Sequence, residues 1–339
     1  MNGHREENGE PLTTSVVMAT YNGARYLPEQ LASLAAQERL PDELVITDDG
    51  SSDDTAKIVE SFAQSASFPV RFHPNAQRLG VRDNFQRALS LAQGDILLLC
   101  DQDDLWFPSK IRRLAEILEQ ETATLLVMND KIITDEALRP SDATMLSNLR
   151  NYGASASLFV AGCCSAFRRS WLDVALPIPD GIAYHDVWII GLAHDLGAVR
   201  LCEEPLQYYR RHGTNVSQGR YNENGRVSRT KRLLWDLALL MKKKAEGQKA
   251  VWETEALWAT TKAARLRERE AALARLGLGD AAAAVRDRLM TRAAWVKERH
   301  RLASLGIVGR AIGGLNLWRR GGYSEFGGWK SLVMDLTLR

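Results

Sequence analysis

The chain has 339 residues, 45% hydrophobic and 25% charged, the make-up of an ordinary globular protein with room for one large α/β domain and a helical appendage. No run of about 18 apolar residues occurs, so no spanning helix is expected. The polar start does not resemble a signal peptide, and Cys100, Cys163, Cys164 and Cys202 match no zinc spacing, so a reduced cytoplasmic chain is expected. The net charge of +2 hides an asymmetry: residues 220–339 carry 25 Lys and Arg against 12 Asp and Glu, a surplus of +13, which leaves the rest at −11. An acidic front suits a metal, and a basic tail suits an anionic surface.

In chain order, residues 1–14 read as a disordered tail. A strand over Ser15–Ala19 ends in Thr20-Tyr21-Asn22-Gly23 and is followed by a helix over 27–37, with Pro28 in its first turn. A second strand, Glu43–Thr47, ends in Asp48-Asp49-Gly50-Ser51-Ser52-Asp53-Asp54 and leads to a helix over 55–64. A short strand over 70–73 and a helix over 83–92 precede the apolar run Ile96–Cys100, which suits a buried strand. That run ends in Asp101, Gln102, Asp103 and Asp104. Three carboxylates in four residues call for a counter-charge, and at a strand's C-terminal end a divalent cation is the natural one. The alternative is a charged loop that starts a helix at Pro108. Further expectations are a helix over 109–120, a strand over 125–129, a polar loop over 139–157, a strand-like run over 158–169, a helix from Asp186, and two short strands within 199–217. Strands alternating with amphipathic helices imply a mostly parallel sheet covered on both faces. No GxGxxG follows the first strand, so a diphosphate is held by other means. From Val227 the texture turns helical, with expected helices over 229–244, 248–276 and 280–303, then a glycine-rich, basic and aromatic stretch over 309–328. The domains are therefore read as 1–14, 15–218 and 219–339.

VVMATYNGARYLPEQLASLAAQ, ELVITDDGSSDDT, GDILLLCDQDDLWFPSKI, GCCSAF and HDVW, in that order, resemble the inverting glycosyltransferases of family 2, with the GT-A fold. QDDLW, HD-x-W and the closing YYRRHGTN are similar to the bacterial rhamnosyltransferase-like branch. The resemblance covers residues 13–218. It implies transfer of a hexose, foremost L-rhamnose from dTDP-L-rhamnose and otherwise from another UDP- or dTDP-hexose. The acceptor it implies is a saccharide, expected to be lipid-linked, in cell-surface polysaccharide synthesis. It also implies Mn²⁺ or Mg²⁺ on Asp101 and Asp103, with Asp101 also reaching the donor.

Residue by residue, Thr20 and Tyr21 are expected beside the base, where Tyr21 can stack on a pyrimidine or be an ordinary loop tyrosine. Asp49 can accept from an imide N–H or cap its own turn with Asp48. Asp104 supports the cluster or caps a helix. Asp186 is the expected general base, with the helix start as the alternative reading. His185 beside it can be the base, tune Asp186 or fill the helix start. Gly162 permits close approach, Cys163 is a small buried residue rather than a nucleophile, and Trp188 packs on sugar or in the core. Arg210, Arg211 and His212 supply cations for a departing diphosphate, and Asn75, Arg78, Gly80 and Arg82 shape its side of the pocket.

Two other classes compete. The basic tail suggests nucleic-acid binding, but its charges alternate in sign through long helices and fit no binding motif, so no nucleic-acid partner is expected. A non-catalytic sugar-binding or membrane-surface scaffold would not need carboxylates at Asp101, Asp103 and Asp186 together. The tail is expected either on an anionic membrane surface at the inner face or in packing, including a homodimer.

Overall fold

The structure, a computed structural model, describes residues 11–155, 158–213, 215, 248–326 and 328–337. Three apolar runs form its centre: β1 (Thr14–Thr20), β2 (Glu43–Asp48) and β4 (Ile96–Cys100) pair in parallel, with β3 (Val70–Pro74) beside β2. All five side chains of β4 are fully buried. Each large apolar side chain so placed contributes about 1.5–3 kcal/mol, which is why a run with no polar face becomes the middle of the sheet. The connecting helices α1 (Leu27–Ala35), α2 (Thr55–Ser65) and α3 (Val81–Leu91) follow the expected pattern closely.

The remaining strands are β5 (Leu105–Trp106), β6 (Leu126–Thr134), β7 (Pro140–Thr144), β8 (Ser165–Arg168) and β9 (Val199–Arg210). The sheet runs β3-β2-β1-β4-β8-β6-β9-β5, with β7 on β6. The first four strands are parallel, as expected, but the second half is mixed. β8 pairs antiparallel with both β4 and β6, and β5 pairs antiparallel with β9. β8 is four residues long and enters between its neighbours without the crossover helix that parallel pairing needs.

Helices of this unit are α4 (Lys110–Gln120), α5 (Met145–Asn151), α6 (Leu172–Ala175) and α7 (His185–Asp195). Three expectations change. Residues 11–14 are not tail: Leu12 is buried, the Thr13 amide donates to Asp95, and Thr14 opens β1. The 139–157 loop holds β7 and α5, whose start is closed by a reciprocal Thr144–Ser147 capping box that a serine in place of Glu or Gln concealed. The two strands expected within 199–217 are one long strand, β9, with register shifts against β6.

The chain forms two compact units, divided at Ser228/Arg229. In the second unit α8 (Gln248–Glu268), α9 (Glu270–Arg275), α10 (Gly279–Ala303), α11 (Ile307–Arg319) and α12 (Trp329–Thr337) are helical. The expected 248–276 helix breaks at Arg269, and the glycine-rich stretch contains a full helix, α11. The expected helix at 229–244 and the 218/219 boundary lie outside the described residues. Buried Arg299 forms a two-pronged pair with Asp335 at 2.8 and 2.9 Å, and the Tyr323 hydroxyl donates to the same carboxylate at 2.8 Å, fastening α12 to α10. Among the described residues no helix is long and apolar enough to cross a membrane.

Candidate active site

Parallel register builds the site. Thr20 stands opposite Asp48, and Met18 opposite Cys100. The residues that follow, Tyr21, Asp49 and Asp101, therefore leave the sheet side by side, at about 4.8 Å per strand. Gln102 clasps this edge. Its side-chain oxygen accepts from the Tyr21 amide at 3.0 Å, and its nitrogen donates to the Tyr21 carbonyl at 3.1 Å. A Cβ on Gly23 would lie 2.4 Å from that oxygen, so only glycine leaves room for the clasp.

The acidic centre has an open layer and a closed one. Asp101 is half-buried, and its carboxyl is pushed up to about 7, first by burial and then by the neighbouring Asp103 and Asp186 carboxylates. The Cys163 thiol also hydrogen-bonds to it. Asp103 lies 2.9 Å from Nε2 of His212. Asp104 is fully buried behind them: it accepts from Nε2 of Gln207 at 2.7 Å and from the Arg210 amide at 3.3 Å, and burial pushes its carboxyl well up. Ligand atoms of Asp101, Asp104 and Cys163 lie within 4.8 Å of one another. The Asp104 oxygens are already engaged, however, and the charge of buried Lys131 offsets Asp101 only in part. Asp101 and Asp103 offer two further oxygen donors of the kind a divalent ion takes, and His212 stands against Asp103 as a nitrogen donor.

Asp186 opens α7. Its carboxylate accepts from the Val187 amide at 2.8 Å and the Gly162 amide at 3.3 Å, so the capping and site readings coexist. Its charge acts on Asp101, which brings the expected base to the expected metal pair. His185 is a correction. Its ring is buried, stacked on Phe85 with centroids 3.9 Å apart, and a Cβ on Gly162 would meet its Nε2 at 3.0 Å. Both ring nitrogens are closed off without hydrogen-bond partners, so the ring packs beneath Asp186 with no open path to an acceptor hydroxyl in this structure, and burial lowers its pKa. Trp188 is core, its indole N–H donating to the Ala175 carbonyl at 2.8 Å.

Two donor-contact expectations also change. Thr20 is buried and its hydroxyl donates to Asp48 at 2.7 Å, so it braces the strand ends instead of facing a ligand. Arg210 is buried and saturated: it bonds the Asp103 carbonyl at 3.0 Å, the Glu136 carbonyl at 2.8 Å and the Glu29 carboxylate. Its charge holds the loop after β4 and is not available to a diphosphate. Asp49 is buried and takes the amides of Leu79 and Gly80 at 2.6 and 2.8 Å and the Asn75 side chain at 3.0 Å. It thus fastens the 75–80 loop, which sets the Arg78 guanidinium 3.9 Å over the exposed Tyr21 ring. Arg82 pairs with its neighbour Asp83 and ties α3 to the Ile182 carbonyl.

Sequence reasoning passed over two buried lysines beneath the acidic centre. Nζ of Lys110 donates to the Cys163 carbonyl at 2.6 Å and to Gln207, which in turn donates to Asp104. Nζ of Lys131 lies 3.5 Å from the Tyr209 ring centre. Both carried a signal: Lys110 continues the apolar face of Leu114 and Leu118, and Lys131 interrupts the apolar strand LVMNDKIIT.

A family profile described as Glycosyl transferase family 2 matches residues 15–175. This part of the chain is similar to glycosyl transferase family 2. The domain has the GT-A nucleotide-diphospho-sugar transferase fold, followed by the C-terminal helices. An uncharacterized protein of Mycobacterium tuberculosis is 29% identical over 228 residues, 64% of each chain. The dTDP-rhamnosyl transferase RfbG of Shigella flexneri is 34% identical over 105 residues, 30% of this chain and 36% of its own. The chain spans 64% of the length of the first of these relatives. Among solved structures, S. aureus TarS 1–349 in complex with UDP-GlcNAc superposes with a TM-score of 0.50 at 15% identity, covering 92% of this chain and 88% of its own.

Proposed function

We propose that the protein is an inverting glycosyltransferase that moves a hexose from a nucleotide diphosphate to a saccharide hydroxyl with the help of Mn²⁺ or Mg²⁺. The observation that carries this reading is the meeting of Asp101 and Asp103 with Asp186, 85 and 83 residues further along the sequence, at the edge where Tyr21 is exposed. Asp101 and Asp103, with His212, would hold the ion, which when bound offsets the diphosphate charge and eases its departure. Tyr21, under Arg78, offers a ring face to a pyrimidine base, and Asp49 keeps the loop carrying Arg78 in place. Asp186 takes the proton from the acceptor hydroxyl as its oxygen attacks the anomeric carbon, and a single base suffices for inversion.

For the donor we propose dTDP-L-rhamnose, with other UDP- or dTDP-hexoses as the second reading. The QDDLW and HDVW motifs and the similarity to RfbG favour the first. The proposed acceptor is a saccharide on a lipid carrier, within bacterial cell-surface polysaccharide synthesis, met at the cytoplasmic face of the membrane. A panel of nucleotide sugars, read by release of nucleoside diphosphate with and without Mn²⁺, tests the reading. The expected result is metal-dependent release from one donor, increased by a lipid-linked glycan. Full activity in chelator ends the metal assignment, and no release from any donor with acceptor present ends the transferase assignment.

A further inference from the structure

The helix α11 is apolar on two sides. One side packs inward: Gly314 and Leu317 are buried, Leu317 clusters with Leu302 and Tyr323, and a Cβ on Gly313 would collide with Leu302. The other side is open. Ile307 is 70% exposed, Val308 68%, Ile312 60% and Leu315 52%, and Trp318 is exposed with them. At 100° per residue these five side chains fill a continuous arc of about 140°. The open surface continues onto α12. Trp318 lies 3.9 Å from where a Cβ of Gly328 would stand, and the next residue, Trp329, is 62% exposed, with Val333 one turn further along the same face. Isolated exposed apolar side chains are ordinary, but a contiguous face of this size marks an interaction surface.

Charge identifies the occupant. Residues 305–339 carry five Arg and Lys against two acids. Asp335 is buried against Arg299, and Glu325 lies 3.8 Å from Arg292. Arg319 falls inside the apolar arc and has no acidic partner among the described residues; Arg320 is exposed beside it, over the Trp295 ring. A second copy on this face would bring these arginines towards their own likes. An anionic bilayer surface takes an apolar convex face and its basic residues together, with tryptophans at the interface level.

We propose that the α11 face, from Ile307 to Trp318 and on to Trp329, seats this chain in the surface of an anionic bilayer without crossing it. The assignment does not rest on the transferase reading, because its test measures no turnover. The full chain is floated with phosphatidylcholine vesicles with or without phosphatidylglycerol. It should rise with the anionic vesicles, less at high salt. Ile307→Asp combined with Ile312→Asp should lower partitioning by about tenfold or more, and Arg319→Glu by roughly tenfold on anionic vesicles. Leu257→Asp, an equally open site on α8, should change nothing. The altered side chains are solvent-exposed, and an unchanged melting curve verifies folding. The inference is overturned if the parent chain stays at the bottom of the gradient at low salt, or if the double variant floats as the parent does. It is also overturned if the parent is a dimer that the double variant dissolves while neither binds vesicles, since the face is then a contact between copies.

Discussion

Replacing Asp186 with Asn tests the proposed chemistry most directly. The exchange keeps shape: an amide oxygen can still accept from the Val187 amide at 2.8 Å, and the longer bond from Gly162, at 3.3 Å, is the one that suffers. That loss is worth about 1 kcal/mol. Removing a positioned base costs about 10²–10⁴ in rate, or roughly 2.7–5.5 kcal/mol of barrier, so the chemical effect outweighs the structural one. Asp186 also raises Asp101 electrostatically, and its neutralisation should let Asp101 ionise at lower pH. Metal and donor should therefore bind as tightly as in the parent, or slightly more so. The assay pairs single-turnover transfer to the acceptor found in the donor panel with calorimetry of donor binding in Mn²⁺. Transfer should fall by at least about a hundredfold with donor affinity retained. Normal transfer would refute the base assignment. A parallel fall in donor affinity would refute it differently, by moving Asp186 to the donor side.

Arg210→Ala and His212→Ala should separate: the first removes a buried charge with three acceptors and should cost about 2–4 kcal/mol of stability in denaturant melts. His212→Ala, whose ring is buried against Tyr26, should also melt lower, but unlike the first it should selectively weaken metal-dependent donor binding. The Asp101 carboxyl is raised in the folded state, so the metal-free protein loses stability from this group as pH climbs from the ordinary aspartate range through about 7. A bound cation replaces that proton, so the rise in melting temperature on adding Mn²⁺ should grow with pH across this window, with proton release in calorimetry; a pH-independent rise contradicts the assignment. Gly23→Ala should displace the Gln102 amide from Tyr21 and weaken the donor by about 1 kcal/mol. Gln102→Ala should do the same, and the two together should not add.

Much of the catalytic unit was legible because it rests on local pattern. An apolar run without a polar face can only be a central strand, and β4 is one; carboxylates after such a run must lie at its C-terminal end, where Asp101 stands. The order of β1, α1, β2, α2, β3, α3 and β4 follows from the same alternation. Helix α11 was missed because its glycines weaken helix propensity, while packing of Gly313 and Leu317 on Leu302 and Tyr323 restores the helix. Which carboxylate is enclosed and which stays partly open was decided by partners that are distant in sequence. Asp103 meets His212, 109 positions away, and Asp104, one residue on, is enclosed by Gln207 and Arg210 at separations of 103 and 106. Sequence spacing reports which residues share a strand end or a helix face. It carries no information about the groups a fold brings against them, and those groups made Arg210 a brace, His185 a neutral packing ring and Lys110 a buried support of the acidic centre.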